Sequence, residues 1–182
     1  MKIMIASDIH GSEKSCREMI AHFDREKAQK LVLLGDLLYH GPRNDLPEGY
    51  NPKAVIAMLN EIRDRLICVK GNCDCEVDQM VLNFPILAEC AILLLDGIYV
   101  FATHGHHASE DAPPAGMCGG VLLCGHTHMP KCAIHDDFVY MNPGSVTIRK
   151  PDCFLSFMTF EKGVFTWKKL ADGEAFLRRD MN

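Results

Sequence analysis

The chain has 182 residues, of which 48% are hydrophobic and 24% are charged, as in an ordinary soluble globular protein. This length suits one domain, which we place over residues 1–182, and it allows burial of about 70% of the surface that the unfolded chain exposes. A formal net charge of −5 argues against a general electrostatic grip on nucleic acid or an anionic membrane, although bound metal ions could still create a local positive site.

The first part of the chain alternates short apolar strands with helices. Strands are predicted over residues 2–7, 31–34 and 66–69, and helices over residues 12–26, with Ser12 as the N-cap, and 52–64. Residues 39–52 contain three prolines and two glycines, which predicts a long loop of the kind that often carries function. This strand–helix–strand order is typical of a parallel sheet with right-handed crossovers.

From residue 86 onward, the pattern changes to strands joined by tight turns. Asp96-Gly97 and Lys162-Gly163 are typical hairpin turns, and Asp136-Asp137 is a third candidate. The predicted strands cover residues 90–95, 99–103, 120–124, 131–135, 138–141, 146–148, 154–161 and 164–170. The sequence therefore predicts one α/β domain whose two halves contribute different strands.

The cysteines and the apolar runs indicate the cellular compartment in which the protein is expected. Nine cysteines, an odd number with no CxxC motif, predict reduced thiols rather than a disulfide framework. The apolar run at residues 3–6 is too short for the core of a signal peptide, and the run at 86–95 is interrupted by Glu89 and too short to span a membrane. We therefore expect a cytoplasmic protein with no membrane partner.

Seven polar side chains of metal-ligand type follow five apolar runs. They are Asp8, His10, Asp36, Asn72, His104, His126 and His128. Ligands of open α/β sheets bind just beyond the carboxyl ends of the strands, where the first four of these residues are expected. Taken singly, Asp36 could be a turn residue and each histidine could be a satisfied core or surface residue. Turn preference alone does not explain the whole set.

The motifs around these residues resemble those of the calcineurin-like metallophosphoesterase superfamily, and in particular its short YfcE-type bacterial phosphodiesterases. The matching motifs are Asp8-x-His10, Gly35-Asp36, Gly71-Asn72-Cys73-Asp74, His104 and Gly125-His126-x-His128. The segments 40–50 and 142–145 also resemble that subgroup, so the resemblance covers nearly the whole chain. It implies a four-layer αββα sandwich of two mixed sheets flanked by helices.

The resemblance also implies a binuclear metal centre that activates a hydroxide to hydrolyse small phosphodiesters. Asp8, His10 and His128 would hold one metal ion, Asn72, His104 and His126 would hold the other, and Asp36 would bridge them. Imidazole, carboxylate and amide donors suit manganese, iron or zinc, and the ligands alone do not decide between them. The resemblance favours two manganese ions and leaves nickel, iron and zinc open.

Cys73 departs from the wider family, which usually has Gly-Asn-His where this chain has Gly71-Asn72-Cys73. In the family, that histidine donates a proton to the leaving oxygen or stabilises charge there. A thiol is a weaker donor and carries no positive charge at neutral pH, so we predict a preference for phosphodiesters or activated aryl esters over alkyl monoesters. Two alternatives are that Cys73 only fills space, or that it is a nucleophile, which we rank below the metal hydroxide.

Four further polar residues are weaker candidates. Asp74 is a candidate catalytic residue that would orient a metal ligand through a hydrogen bond. Arg43, in the long loop, is a candidate substrate-binding residue because a guanidinium suits a non-bridging phosphate oxygen, although an exposed arginine is more often solvated. His40 and His106 could lie beside the ligands or the substrate, or could be ordinary surface histidines.

The same motifs leave other functions open. A phosphomonoesterase or a nuclease could use this site, and the fold also occurs in a retromer subunit that serves as a protein-binding scaffold. Such scaffolds typically lose ligands, whereas all seven positions here keep a donor, which favours an enzyme. Without a basic stripe or an aromatic base-binding set, nucleic acid is not an expected partner. The apolar strands after residue 153 could support a homo-oligomer.

Overall fold

A computed structural model describes residues 1–182, which form eleven strands and three α-helices. In chain order the elements are β1 (Ile3–Ala6), α1 (Glu13–Arg25), β2 (Lys30–Leu33), α2 (Pro52–Glu61), β3 (Leu66–Cys68), α3 (Glu76–Gln79), β4 (Cys90–Leu95), β5 (Ile98–Thr103), β6 (Val121–Leu123), β7 (Pro130–Ile134), β8 (Val139–Pro143), β9 (Ser156–Glu161), β10 (Val164–Lys169) and β11 (Ala175–Asp180). A single 3-10 turn, Arg63–Arg65, lies between α2 and β3.

The strands form two mixed sheets. The six-stranded sheet has the order β11-β10-β9-β1-β2-β3, in which β1, β2 and β3 are parallel and the other three are antiparallel. The five-stranded sheet has the order β4-β5-β6-β8-β7, with β5, β6 and β8 parallel and antiparallel strands at both edges. The carboxyl ends of neighbouring parallel strands therefore meet at one edge of each sheet.

Alternating side chains of the central strands belong to two separate cores. In β1, Met4 and Ala6 pack with α1 and α2, whereas Ile3 and Ile5 belong to the cluster between the two sheets. This alternation follows from the two-residue period of a strand. Trp167 is fully buried between the sheets, and its indole nitrogen donates to the carbonyl of Asn142 over 2.7 Å, so its only polar atom is satisfied.

The architecture confirms the predicted fold class, with one difference in the outermost layer. Helices α1 and α2 cover the outer face of the six-stranded sheet. The outer face of the five-stranded sheet carries a small cluster around Leu122, Phe138 and Tyr140, against which Met117 packs. Residues 104–120 contain no helix, so a loop takes the place of the second helical layer.

Four local features differ from the sequence predictions. The strand expected over residues 146–148 is a turn, because the Ser145 hydroxyl accepts hydrogen bonds from the backbone amides of Thr147 and Ile148. Strand β11 was not predicted, since as an edge strand it alternates weakly and carries Arg178 and Arg179. Helix α3 was also missed, and α2 ends at Glu61 rather than at residue 64.

All nine cysteines are free in the structure, and their reduced state stays a prediction. Three of them, Cys16, Cys68 and Cys124, are buried, and burial raises the pKa of each thiol above its ordinary value. They therefore behave as small apolar side chains rather than as reactive thiolates. In addition, no helix has the length and apolar character that crossing a bilayer requires.

Candidate metal centre

The loops that follow β1 and β2 continue the parallel pairing of those strands. The amide of Asp8 donates to the carbonyl of Gly35 over 3.1 Å, and the amide of His10 donates to the carbonyl of Asp36 over 2.9 Å. The register of β1 against β2 thus places Asp8 and His10 next to Asp36. Asn72 follows β3 at the same edge, in agreement with the position predicted for a ligand of an α/β sheet.

Five of the nine non-glycine residues with positive φ angles belong to the seven predicted ligands. They are Asp8 (61°), His10 (48°), Asp36 (56°), His126 (66°) and His128 (60°). This left-handed conformation costs a non-glycine residue of order 1–3 kcal/mol. Such costs persist only where the surrounding structure imposes them, and their concentration at one site marks it as functional.

Asp8, His10 and His128 form one group of buried donors. The Nε2 atom of His128 lies 3.3 Å from Oδ1 of Asp8 and 3.3 Å from Nε2 of His10. The Nδ1 atom of His10 lies 2.8 Å from the carbonyl of Tyr39, which accepts its proton and leaves Nε2 as the electron-pair donor. Oδ1 of Asp8 is buried without a hydrogen-bond partner, so a cation would complete this group.

Asn72, His104 and His126 form the second group. Nδ1 of His104 donates to the carbonyl of Leu34 over 2.6 Å, which directs Nε2 toward Oδ1 of Asn72 at 3.0 Å and Nδ1 of His126 at 3.3 Å. Oδ2 of Asp36 lies between the two groups, 3.7 Å from Nε2 of His10 and 3.5 Å from Nε2 of His104. The structure therefore brings all seven predicted side chains together.

Asp74 stabilises the backbone around Asp36 by accepting hydrogen bonds from backbone amides. Its Oδ2 accepts hydrogen bonds from the amides of Asp36 and Gly71, each at 2.8 Å, and its Oδ1 accepts one from Leu37 at 2.9 Å. Asp74 is buried, and all three contacts are to backbone, so its geometry supports a positioning role rather than contact with substrate. A Cβ atom at Gly71 would lie 2.1 Å from Oδ1 of Asp36, so only glycine fits there.

The segment over residues 142–145 stabilises the loop that carries His126 and His128 through hydrogen bonds. The side-chain amide of Asn142 donates to the carbonyl of Gly125 over 2.7 Å and lies 3.1 Å from the hydroxyl of Thr127, which stands between His126 and His128. The hydroxyl of Ser145 donates to the carbonyl of Asp8 over 3.0 Å. This segment therefore ties ligand loops from both sheets together.

With this geometry established, the comparisons with known proteins identify the family. Residues 1–162 match the calcineurin-like phosphoesterase superfamily domain. Over 150 residues the chain is 49% identical to Phosphodiesterase YfcE of Escherichia coli K12, covering 82% of each protein. The chain belongs to the calcineurin-like phosphoesterase superfamily. It is also 28% identical over 152 residues to Phosphodiesterase MJ0936 of Methanocaldococcus jannaschii, covering 79% of this chain and 83% of that protein.

Two solved structures share the fold. The structure of YfcE, a phosphoesterase from E. coli, superposes with a TM-score of 0.96 at 43% identity, over 100% of both chains. Vacuolar protein sorting 29 from Cryptosporidium parvum superposes with a TM-score of 0.64 at 17% identity, covering 98% of this chain and 96% of that one. At that identity the second likeness concerns the fold alone.

A polar cavity of about 430 Å³ opens onto the phosphoesterase centre. Its lining comprises His10, Asp36, Gly41, Pro42, Arg43, Asn44, Asn72, Cys73, His126, Thr127, His128 and Lys150. The predicted substrate-binding residue Arg43 is part of this lining, and so is Lys150, which the sequence analysis missed because no motif marks it. His40 and His106 are absent from the lining. A second cavity, of about 520 Å³, contains none of the seven predicted ligands.

Cys73 contributes to the phosphoesterase centre through both its backbone and its side chain. Its amide donates to Oδ1 of Asp36 over 2.8 Å, and its sulfur, which lines the cavity, lies 3.3 Å from Nδ2 of Asn72. Burial, followed by the negative charge of Asp36, raises the pKa of the thiol far above its ordinary value. The metal-free protein therefore holds Cys73 as a neutral thiol, which is a poor nucleophile.

Metal binding to this phosphoesterase centre should strengthen as the pH rises toward 9. Burial alone would lower the pKa of His104, but its hydrogen bond to Asp36 and the charge of Asp8 raise that pKa to about 9. A proton on Nε2 of His104 must leave before a metal ion binds there, so the affinity should increase up to about tenfold per pH unit between pH 7 and 9. Calorimetry in buffers of different ionisation enthalpy measures the released proton, and an affinity that is constant over this range would contradict the assignment.

Proposed function

We propose that this protein is a metal-dependent phosphodiesterase that hydrolyses small phosphodiesters with water at a binuclear metal centre. The observation that carries this proposal is the convergence of seven oxygen and nitrogen donors in two groups that share the carboxylate of Asp36. Membership of the phosphoesterase superfamily and the 49% identity to a phosphodiesterase support it.

The donor set fits two divalent cations. Imidazole nitrogens lie 3.3 Å apart in both groups, so one cation could replace the proton that each pair shares in the metal-free protein. We propose manganese as the ion because the family resemblance favours it, since oxygen and imidazole donors by themselves also admit iron, nickel or zinc. The Cys73 sulfur lies within 4.8 Å of donor atoms of His10 and Asp36, and a thiolate there would instead favour zinc.

The protein's own contribution to the reaction is charge and orientation. Asp8 and Asp36 carry −2, which balances only half the charge of two divalent ions, so the cavity attracts an anionic phosphoester. Backbone carbonyls fix the rings of His10 and His104 so that Nε2 of each faces the centre. When bound, the two ions supply a nucleophile from water at neutral pH and positive charge for the phosphoryl oxygens.

At the leaving group, this chain supplies little proton donation. Cys73 lines the cavity beside the predicted metal ligand Asn72, and its thiol is a weak proton donor. Arg43 lines the same cavity, and its guanidinium would attract an anionic substrate. We therefore propose that diesters with good leaving groups react faster than alkyl monoesters.

The deciding experiment reloads metal-stripped protein with Mn²⁺, Ni²⁺, Zn²⁺ or Mg²⁺ and measures hydrolysis of bis(p-nitrophenyl) phosphate and p-nitrophenyl phosphate. We expect two bound ions per chain by mass spectrometry, with Mn²⁺ restoring the highest activity and the diester reacting faster. His128→Gln should lose activity, and His135→Gln, an exposed histidine paired with Glu110, should retain it. Two bound ions without hydrolysis would indicate a scaffold, and faster monoester hydrolysis would indicate a phosphomonoesterase.

Self-association and a cytoplasmic location also remain proposals. Strand β11 forms one edge of the six-stranded sheet, and its backbone could pair with the same strand of a second copy. Arg178 and Arg179 in that strand would place like charges together in such a pairing. Sedimentation velocity over a range of protein concentrations would determine the state.

A further inference from the structure

Two unpaired cations lie in the lining of the cavity, on loops that are distant in sequence. Arg43 belongs to the loop between β2 and α2, and Lys150 follows the turn after β8. Both are exposed, and neither has a carboxylate within 4 Å. Asp36 is the only acidic residue in the lining, and it belongs to the metal centre.

In the second cavity, two of the three cationic side chains form ion pairs, whereas Arg149 does not. There, Lys14 pairs with Glu48 at 2.8 Å, and Lys169 pairs with Glu174. No carboxylate forms an ion pair with Arg43 or Lys150, although Asp152 lines a further surface cavity together with Lys150. The charge of these two residues is therefore available to an anionic group in the cavity that opens onto the phosphoesterase centre.

The formal charges leave an excess that a simple phosphodiester does not balance. Two divalent ions with Asp8, Asp36 and a hydroxide nucleophile sum to +1, and Arg43 with Lys150 raises the total to +3. A phosphodiester group carries only −1. A second anionic group on the substrate would reduce this excess and would gain charge-assisted hydrogen bonds from the guanidinium and the ammonium.

The lining also lacks the surface that a nucleobase needs. It contains no Phe, Tyr or Trp side chain, and its imidazoles are predicted metal ligands. Stacking on aromatic side chains is the usual source of affinity for a base. The cavity therefore suits a small, highly polar ester rather than a nucleotide.

We propose that Arg43 and Lys150 form a subsite for an anionic group, a carboxylate or a phosphate, on the second ester half of the substrate. This inference rests on the proposed phosphodiesterase function and adds a substrate class to it. The natural substrate is then a small diester that carries at least two negative charges. Arg43 and Lys150 discriminate among diesters by the second anionic group. The seven metal-binding residues act on the phosphodiester group, which is common to all these substrates.

A matched pair of substrates tests this subsite. Ethyl p-nitrophenyl phosphate and 2-carboxyethyl p-nitrophenyl phosphate share the phosphodiester and the leaving group, and they differ in one carboxylate. We expect the Mn²⁺-loaded enzyme to show a kcat/KM about tenfold higher for the carboxylate diester, the size of one charge-assisted hydrogen bond. The Lys150→Gln and Arg43→Gln variants should each lower this ratio from about ten toward one. A 2-phosphoethyl diester in place of the carboxylate distinguishes the two anionic groups.

The controls separate a local subsite from a general effect of charge. Lys162→Gln removes one positive charge in the β9–β10 turn, at the opposite end of the six-stranded sheet, and should leave the substrate ratio unchanged. A ratio that is the same in wild type and Lys150→Gln would overturn the proposal. If neither diester is hydrolysed by the loaded enzyme, the proposed function itself fails, which is a different outcome.

Binding provides a readout that does not depend on catalysis. Calorimetric titration with ethylphosphonate and 2-carboxyethylphosphonate compares the same two side groups in compounds that the enzyme does not hydrolyse. We expect about tenfold tighter binding of the carboxylate compound to wild type, and equal binding of both compounds to the Arg43→Gln, Lys150→Gln double variant. Equal binding of the two compounds to wild type would refute the subsite even if hydrolysis is observed.

Discussion

Replacing Asp36 with asparagine is expected to lower kcat/KM for bis(p-nitrophenyl) phosphate by more than about 100-fold and to reduce the bound metal below two ions per chain. Substitution of a residue that only supports a ligand typically costs 10–100-fold in metal affinity or activity, and Asp36 is proposed as a ligand shared by both ions. Its Oδ2 lies within 3.7 Å of Nε2 of both His10 and His104. Metal content by mass spectrometry and steady-state kinetics measure the two effects.

The physical reason for this effect is charge, because asparagine preserves the shape of Asp36. The amide oxygen can still accept the hydrogen bond from the amide of Cys73, which is 2.8 Å long in the structure. The amide nitrogen would then face the electron-pair donors of His10 and His104, and the negative charge that attracts the cations is lost. Asp45→Asn, in the exposed part of the long loop, is the matched control and should leave activity and metal content unchanged. Two tightly bound ions in the Asp36→Asn protein would contradict the bridging role.

Replacing Cys73 with histidine should speed hydrolysis of diesters with poor leaving groups much more than that of activated aryl esters. General acid catalysis contributes about 10²–10⁴-fold, and the neutral thiol of Cys73 supplies little of it. The side chain at position 73 lines the cavity, so an imidazole there could reach the leaving oxygen. We expect a gain in kcat/KM of about 10–100-fold for alkyl leaving groups. This is less than the full effect of general acid catalysis, because no neighbouring contacts orient the new imidazole.

A series of aryl and alkyl diesters with increasing leaving-group pKa measures this effect as a shallower dependence of kcat/KM on that pKa. Cys73→Ser is the matched control, since a hydroxyl has nearly the size of the thiol and no charge; it should keep the wild-type dependence. Metal content must be measured alongside, because Asn72 lies 3.3 Å from the Cys73 sulfur and could be displaced by the larger ring. Unchanged selectivity in a fully loaded Cys73→His protein would mean that Cys73 only fills space.

The sequence alone predicted the parts of this protein that depend on local chemistry. Helix α1 was predicted from Ser12 onward, and in the structure the Ser12 hydroxyl accepts a hydrogen bond from the amide of Ser15 over 3.2 Å. The strands β1 to β3 were predicted because short apolar runs between helices form buried parallel strands. The family was recognised from the motifs at the ends of these strands, and that resemblance implied the two mixed sheets.

The convergence of the seven side chains was predictable for a similar reason. Parallel strands have their carboxyl ends at one edge, so polar residues that directly follow β1, β2 and β3 must lie near one another. The left-handed backbone of Asp8, His10 and Asp36 was not predictable, because a positive φ at a non-glycine residue is imposed by its surroundings. The misassigned residues 146–148 show the same limit, since the hydroxyl of Ser145 competes there with strand pairing.

The sequence by itself therefore determined the family, the order of the main elements and the chemical identity of the seven candidate ligands. Only the tertiary structure decided which of them face each other, that Asp74 supports the backbone at Asp36, and that Lys150 shares a cavity with Arg43. Residue types and their spacing determine local conformation and burial. The placement of Arg43 and Lys150 in one cavity, although they are more than a hundred positions apart, depends instead on strand register and on how the two sheets pack.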